Sequence, residues 1–177
     1  VGHVKAVTNM KSLASWTNEQ FDPTLNWEDV AWVKKQWGGK LILKGIMDVE
    51  DAQLAVASGA DAIVVSNHGG RQLDGAPSSI EALPAIVAAV GDQIEVWLDG
   101  GIRSGQDVLK AWALRARGAL LGRAMVYGLG AMGEAGVTKA LQIIHKELDV
   151  TMAFCGRTDI QTVDKSILLP GTFPTAG

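Results

Sequence analysis

The chain has 177 residues, a formal net charge of −3 and 47% apolar side chains. This apolar content suffices for a folded core and is too high for a disordered segment. Lysine and arginine are scattered, which gives no indication of a nucleic-acid surface, and every apolar run is far shorter than the ~20 residues that a membrane-spanning helix needs.

A strand-and-helix repeat organises the chain. Helix 27–37 comes first and is capped by Asn26. Four short apolar runs follow, at 41–43, 62–65, 94–98 and 119–121. Because these runs are continuous rather than alternating, they predict strands covered on both faces. Helical patterns follow the first three runs and open at Asp48, Ser78 and Ser104, whose side chains can cap a helix. Spacings of about 20 to 30 residues are typical of βα units with parallel strands.

The remaining helical patterns are less regular. Pro84 falls early in its helix, so we expect it in the first turn. After the last strand the sequence predicts helical pieces near 124–129 and 134–148 and a short helix at 150–155. The tail, 168–177, is predicted to be extended or disordered.

Two α/β architectures compete for these units. A doubly wound sheet would bind phosphate near its first strand, whereas a (β/α)8 TIM barrel often binds it after its seventh and eighth strands. Glycine-rich turns follow the last two strands here, which favours the barrel. Since a barrel needs eight strands and about 250 residues, the chain is predicted to supply about the last four βα units. The other half would come from another polypeptide or from an N-terminal part cut away.

Three polar side chains follow the first two strands. Lys44 is interpreted either as a surface lysine or as a fixed ammonium that stabilises negative charge. His68 and Arg71 flank a glycine pair in "SNHGGRQ". A histidine can accept a proton near neutral pH, and an arginine presents a fork that matches a carboxylate. The alternative for this pair is a solvated polar turn.

The turns after the last two strands predict a phosphate site. "LDGGIRSG" (98–105) and "LLGRAM" (120–125) each run from a strand into glycine and then arginine. Backbone N–H groups in such turns bind anions, and Arg103 and Arg123 add charge-assisted hydrogen bonds. Asp99 would either bind a sugar-type hydroxyl or brace its turn.

The other candidate residues carry no predicted chemistry. His145 lies in an amphipathic helix and is predicted to be at the surface or in packing, while His3 lies in an irregular start. The single cysteine, Cys155, is expected to be a small core residue, and it excludes an internal disulfide framework. Metal-ligand spacing is lacking, and neither the P-loop nor the Rossmann glycine spacing occurs in the required context.

Five motifs, in order, resemble the second half of the FMN-dependent L-2-hydroxy acid oxidases and dehydrogenases, the family of glycolate oxidase, flavin-type L-lactate dehydrogenase and mandelate dehydrogenase. Beside "SNHGGRQ" they are "FDPTLNWEDVAWVKK", "LILKGIMDVEDAQLAV", "LDGGIRSGQDVLKA" and "LGRAMVYGLGAMGEAGV". The resemblance covers roughly residues 20 to 160. It implies a barrel that binds FMN and oxidises an L-2-hydroxy acid to the 2-oxo acid.

The resemblance also implies roles for individual residues. His68 would be the active-site base and would contact substrate, and Arg71 would bind the substrate carboxylate. Lys44 would lie against the flavin, where its charge stabilises the reduced ring. The full implied cofactor set is Lys44, Ser66, Asp99, Gly100, Gly101, Ile102, Arg103, Gly122 and Arg123. Lactate, glycolate and mandelate stay open as substrates, and dioxygen, a quinone and a cytochrome as electron acceptors.

The resemblance further implies an organisation. Residues 1–20 would end the family's long loop after strand four, 21–165 would form the C-terminal half of the barrel, and 166–177 would be a tail. An N-terminal fragment would complete the site in a homo-oligomer, a tetramer by resemblance. The alternatives are a flavin- or phosphate-binding half-barrel without turnover and another phosphate-binding barrel enzyme. We expect a cytoplasmic protein, either free or peripheral at the inner face of the membrane.

One residue departs from the family pattern. The family usually has a glycine near the position of Arg115, at the end of a helix. Arginine there must adopt a less favourable backbone conformation, or the turn must shift.

Overall fold

Strands and helices alternate along the computed structural model, which describes residues 22–176 together with Ser15, Trp16 and Glu19. The elements are α1 (Trp27–Trp37), β1 (Ile42–Ile46), α2 (Val49–Ala57), β2 (Ala62–Val65), α3 (Ser79–Val90), β3 (Glu95–Asp99), α4 (Gly105–Ala113), β4 (Gly118–Leu120) and α5 (Arg123–Phe154). Short 3-10 turns occupy His68–Gly70, Ile160–Thr162 and Lys165–Ile167. All four predicted strands are present, and the first is longer than predicted.

The predicted capping residues begin the helices. Asn26, Asp48 and Ser104 each accept a hydrogen bond from a first-turn N–H group, at 2.8, 2.7 and 3.2 Å. The expectation for Pro84 is wrong, because this proline is the sixth residue of α3 and lies in its second turn. At that position proline removes one helical hydrogen bond and crowds the preceding turn, and α3 nevertheless buries Leu83 and Ile86 on the sheet.

The four strands form one parallel sheet in the order β1-β2-β3-β4. In a doubly wound sheet the strand order reverses at a switch point, whereas in a barrel consecutive strands are neighbours. On one face, Ile63 and Val65 of β2 and Val96 and Leu98 of β3 pack into a core with the helices. The prediction of four βα units of a (β/α)8 barrel is therefore confirmed.

The opposite face of the sheet corresponds to the inside of the barrel wall. Strand register aligns Lys44 with Val64, Val64 with Trp97, and Trp97 with Gly118, so these four residues share that face. Trp97 lies across Gly118, where an added Cβ would be 3.1 Å from the indole ring. Ile42, two residues before Lys44, is 44% exposed. The helices thus cover the outer face of the sheet, and the described residues cover the inner face only in part.

The helix after β4 differs from the prediction at its C-terminal end. The pieces predicted at 124–129 and 134–148 are the two arms of α5, which is broken near Gly133 (φ 60). The separate helix predicted at 150–155 is wrong, because the second arm continues to Phe154 without another break.

Two further predictions about the C-terminal region have different outcomes. The tail has no helix or strand over 168–176, and Leu168 is extended as predicted, but Leu168 and Phe173 pack on the core, so the tail is not disordered. Cys155 is exposed rather than a core residue, because it follows the last turn of α5 at the surface. The predicted loop segment 1–20 lies outside the described residues except at the three positions given above. Nowhere in the described part of the chain is a helix both long and apolar enough to cross a membrane.

Candidate active site

The carboxyl ends of the strands and the turns that follow them surround a cavity of about 490 Å³. This volume is within the usual range for small-molecule sites. Ten of the eleven site residues predicted from the sequence line the cavity, and Ser66 does not. The lining residues are Lys44, His68, Gly69, Arg71, Gln72, Asp99, Gly100, Gly101, Ile102, Arg103, Leu120, Gly122, Arg123 and Val126.

Lys44 is a fixed cation at one side of this cavity. It lies near the end of β1 on the inner face, and its Nζ is 2.7 Å from Asp99 Oδ2 at the end of β3. The same Nζ donates to Ser66 Oγ at 3.0 Å. These two contacts span three strands, so the structure favours the interpretation of Lys44 as a held ammonium over that of a solvated surface lysine.

Ser66 holds two groups of the site by hydrogen bonds. It is completely buried, and its Oγ accepts hydrogen bonds from Lys44 Nζ and from the backbone N–H of His68, the latter at 3.1 Å. One hydroxyl therefore connects the cation of β1 with the start of the histidine turn. The contact between Ser66 and flavin stays a prediction.

The histidine turn has an unusual backbone. His68 has φ 58, and Gly69 and Gly70 continue in the left-handed region with φ 70 and 71. Side chains other than glycine rarely occupy this region, and strain of this kind is concentrated at functional sites. The turn is held by Asn67, whose Oδ1 accepts from Gly69 N at 3.0 Å and whose Nδ2 donates to Pro77 O at 3.1 Å.

Arg71 follows this turn and lines the same cavity as His68. Among the described residues its guanidinium forms no ion pair within 4.0 Å. A base and a planar cation from one turn thus line one cavity, and these are the groups needed to accept a proton and to hold a carboxylate.

The turn after β3 also lines the cavity. Gly100 and Gly101 have φ 104 and 78, and no heavy atom lies within 4 Å of a Cβ placed at Gly101. At Gly100 a Cβ would be 2.8 Å from Ser79 Oγ, which donates to the Asp99 carbonyl at 2.5 Å. The first glycine thus permits close packing, and the second leaves open space beside the cavity.

The start of α5 lines the cavity as well. Gly122 precedes the helix, no side chain caps it, and Arg123 is its first residue. Uncapped first-turn N–H groups and an arginine bind anions. Together with Arg103 and the glycine turn after β3, they line the part of the cavity where the sequence predicts a phosphate-like group, which we call the phosphate cradle.

The charges around the cavity suit a dianion with a polar chain. Arg103 and Arg123 contribute positive charge, and the charges of Lys44 and of the lining carboxylate of Asp99 offset each other in their ion pair. The predicted phosphate site and the predicted base-and-arginine pair therefore share one cavity, as an FMN phosphate and a carboxylate substrate require. No group of three His, Cys, Asp or Glu side chains in the described part of the chain could hold a metal ion.

The analysis of the sequence missed several lining residues. Gln72 is the last residue of the "SNHGGRQ" motif, and its place beside Arg71 could have indicated it. Leu120 lies in a strand and Val126 in a helix. Both belong to apolar segments, and nothing in the local sequence indicates that they line a binding site. Ser79 donates a hydrogen bond to the Asp99 carbonyl. That role is missed from the sequence because the neighbouring Ser78 accounts for the serines there as a helix cap. His145 is exposed, which confirms its predicted place at the surface.

Comparison with known sequences connects this cavity to a family. The sequence model described as FMN-dependent dehydrogenase matches residues 2–170. L-lactate dehydrogenase from Caulobacter sp. (strain K31) is 52% identical over 91% of this chain and 42% of its own length. L-lactate dehydrogenase from Pseudomonas syringae pv. syringae (strain B728a) is 49% identical over 92% of this chain and 43% of its own length.

Solved structures show the same relationship. A structure of (S)-mandelate dehydrogenase, described as a monotopic membrane protein, superposes with a TM-score of 0.83 at 40% identity and covers 93% of this chain and 43% of its own. A mandelate oxidase with (S)-4-hydroxymandelic acid gives a TM-score of 0.82 at 47% identity, with coverages of 86% and 42%. The chain therefore spans less than half the length of these relatives.

Proposed function

The chain belongs to the FMN-dependent dehydrogenase family, and on this basis we propose that it supplies the FMN- and substrate-binding half of a barrel that oxidises an L-2-hydroxy acid to the 2-oxo acid. The observation that carries the proposal is one cavity that is lined both by His68 and Arg71 and by the glycine and arginine turns after β3 and β4. Relatives named L-lactate dehydrogenase and mandelate dehydrogenase point to substrates of the lactate and mandelate class.

The residues around the cavity suit FMN. The turn at Gly100–Arg103 and the α5 start at Gly122 and Arg123 would hold the phosphate, and Asp99 is placed to bind the ribityl chain. Lys44 would face the flavin ring, where its fixed charge favours electron uptake. When bound, FMN supplies the acceptor for the two electrons that leave the substrate.

Two side chains of this chain would act on the substrate. Arg71 binds the carboxylate and thereby orients the neighbouring carbinol carbon. His68 accepts a proton as the alcohol becomes a ketone. The left-handed turn keeps the two groups at the same cavity, which suits a substrate whose carboxylate and hydroxyl are attached to adjacent carbons.

The incompletely covered surfaces support an N-terminal half as a partner. Among the described residues, β1 and β4 are edge strands, and Ile42 on the inner face is 44% exposed. On α1, Trp32 and Trp37 are 61% and 68% exposed. Exposed edges and apolar patches of this kind are normally covered in a stable protein. The first half of the barrel would cover them in a cytoplasmic or peripherally membrane-bound homo-oligomer.

Anaerobic reduction of the flavin tests the activity. L-lactate, glycolate or L-mandelate should bleach the visible absorbance of the bound flavin, and D-lactate should leave it unchanged. Bound FMN that none of these acids bleaches would favour a second candidate, an inert flavin-binding half-barrel, which the exposed inner face makes physically reasonable. Denaturing mass analysis tests the partner, because full activity from a single 18.7 kDa species would contradict it.

A further inference from the structure

We propose that Gly45 is a positioning residue for the active-site imidazole, because the side chain it lacks would occupy the space taken by the His68 ring. The catalytic part of this inference rests on the function proposed above. The geometric part rests on the structure around β1 and the histidine turn, and it can be tested independently.

Gly45 lies at an irregularity in β1. The parallel register pairs Lys44 with Val64 and then Ile46 with Val65, so Gly45 is an extra residue between two consecutive pairs. Its φ is 107, a conformation that L side chains rarely adopt. This bulge brings the β1 backbone against the turn that follows β2.

The imidazole of His68 lies against Gly45. A Cβ built on Gly45 would be 2.8 Å from Cε1, 3.5 Å from Nε2 and 3.8 Å from Nδ1 of the ring. The first distance is shorter than Cβ contacts in real structures, so a methyl group there must displace something. The imidazole is the end of a side chain, whereas the His68 backbone is held by Ser66 Oγ, so the ring is the group that moves.

The other functional groups of the site are not among the atoms nearest to this position. The three heavy atoms nearest to a Cβ on Gly45 would all belong to the His68 ring. Arg71 follows His68 by three residues, and the phosphate cradle lies on the turns after β3 and β4. A methyl group at residue 45 should therefore misplace the base and spare both carboxylate binding and FMN binding.

The decisive experiment compares Gly45→Ala with Gly59→Ala in the full-length flavoprotein. Gly59 also has a positive φ, 78, but no heavy atom lies within 4 Å of its Cβ position, so this variant carries backbone strain without a neighbour to displace. Stopped-flow reduction of the bound flavin by L-lactate gives the rate constant and the apparent substrate affinity. We expect Gly45→Ala to slow reduction on the order of 10²-fold, the scale for a misplaced catalytic group, with FMN content and substrate affinity retained. Gly59→Ala should react at the parent rate.

A readout without turnover separates positioning from general damage. A crystal structure of Gly45→Ala should show the imidazole displaced, with Arg71 and the phosphate cradle in place. Gly45→Ala should also lower the urea midpoint less in a His68→Ala background than in the parent, since the clashing ring is then absent.

The outcomes are distinct. An unmoved ring with parental reduction rates overturns the inference, as does an equal loss of urea midpoint in both backgrounds. If no 2-hydroxy acid reduces the flavin of the parent protein, the proposed function fails, whereas the displaced ring and the coupled midpoints would still support the contact.

Discussion

Arg115 occupies a helix end that usually carries glycine, and Arg115→Gly should be more stable than Arg115→Ala. Its φ is 73, which confirms the unfavourable backbone expected from the sequence. Helices α2 and α4 end with the same pair of backbone hydrogen bonds, the first with Gly59 and the second with Arg115 in the left-handed position. The bonds are Gly59 N to Val56 O, Ala60 N to Ala55 O, Arg115 N to Trp112 O and Ala116 N to Ala111 O, at 3.0, 3.1, 2.8 and 3.0 Å.

The size of the effect follows from three contributions. A left-handed residue with a Cβ costs roughly 1–2 kcal/mol, and glycine removes that cost. The greater freedom of glycine in the unfolded chain offsets about 0.4–1 kcal/mol. Arg115 also pairs with Asp92 at 2.5 Å, but the side chains are 51% and 87% exposed, so the pair contributes at most about 1 kcal/mol. Arg115→Ala loses this pair too and is therefore the proper reference.

Urea unfolding of the full-length protein measures the difference. We expect Arg115→Gly to be about 0.8 kcal/mol more stable than Arg115→Ala, which corresponds to roughly 2–3 °C in Tm. Gly59→Ala should lose a similar amount, because its added methyl meets no neighbouring atom and brings only the backbone strain. If Arg115→Gly proves no more stable than Arg115→Ala, the left-handed conformation of residue 115 carries no strain and the reasoning fails.

The other predictions concern the site and the ion pairs of Asp61, the residue before β2. Arg71→Met should weaken substrate binding by about 2–5 kcal/mol, the scale for truncating one partner of a buried ion pair, with FMN content unchanged in spectral titrations. Loss of flavin with intact substrate affinity would contradict that assignment. Arg123→Met should do the reverse and weaken FMN binding by about 1.5–3 kcal/mol, measured by titrating the apoprotein with FMN; parental FMN affinity would exclude Arg123 from the cradle. Lys34 and Lys40, which donate to Asp61, hold the pKa of that carboxyl well below its usual 3.8. Asp61→Asn should therefore be less stable than the parent at pH 7, by a difference that shrinks as the pH falls below about 4 and the unfolded-state carboxyl takes up its proton; a pH-independent difference in denaturation would argue against the ion pairs.

Several features of the site were predictable from the sequence because they depend on local spacing. His68 and Arg71 are separated by a glycine pair in one turn, so they stay together wherever that turn lies. The Arg103 and Arg123 turns come together because carboxyl ends of parallel strands meet at one edge of a sheet. The strain at Arg115 follows from its place at the end of a helix.

Other features depend on contacts between residues far apart in the chain. No short motif predicts the ion pair of Lys44 with Asp99 or the hydrogen bond from Lys44 to Ser66. Both contacts depend on which strands are neighbours and on the direction in which each side chain points. The packed tail and the exposed Cys155 were mispredicted for the same reason, since burial depends on which surfaces meet.

The sequence by itself determined the βα repeat, the parallel sheet and the residue types of a phosphate cradle and a base beside a carboxylate-binding arginine. These are encoded in periodicity and in local spacing, which a single segment carries. Only the tertiary structure decided that a glycine of β1 makes room for a histidine after β2. A contact of that kind depends on a bulge in one strand and a left-handed turn after another, and neither segment specifies it alone.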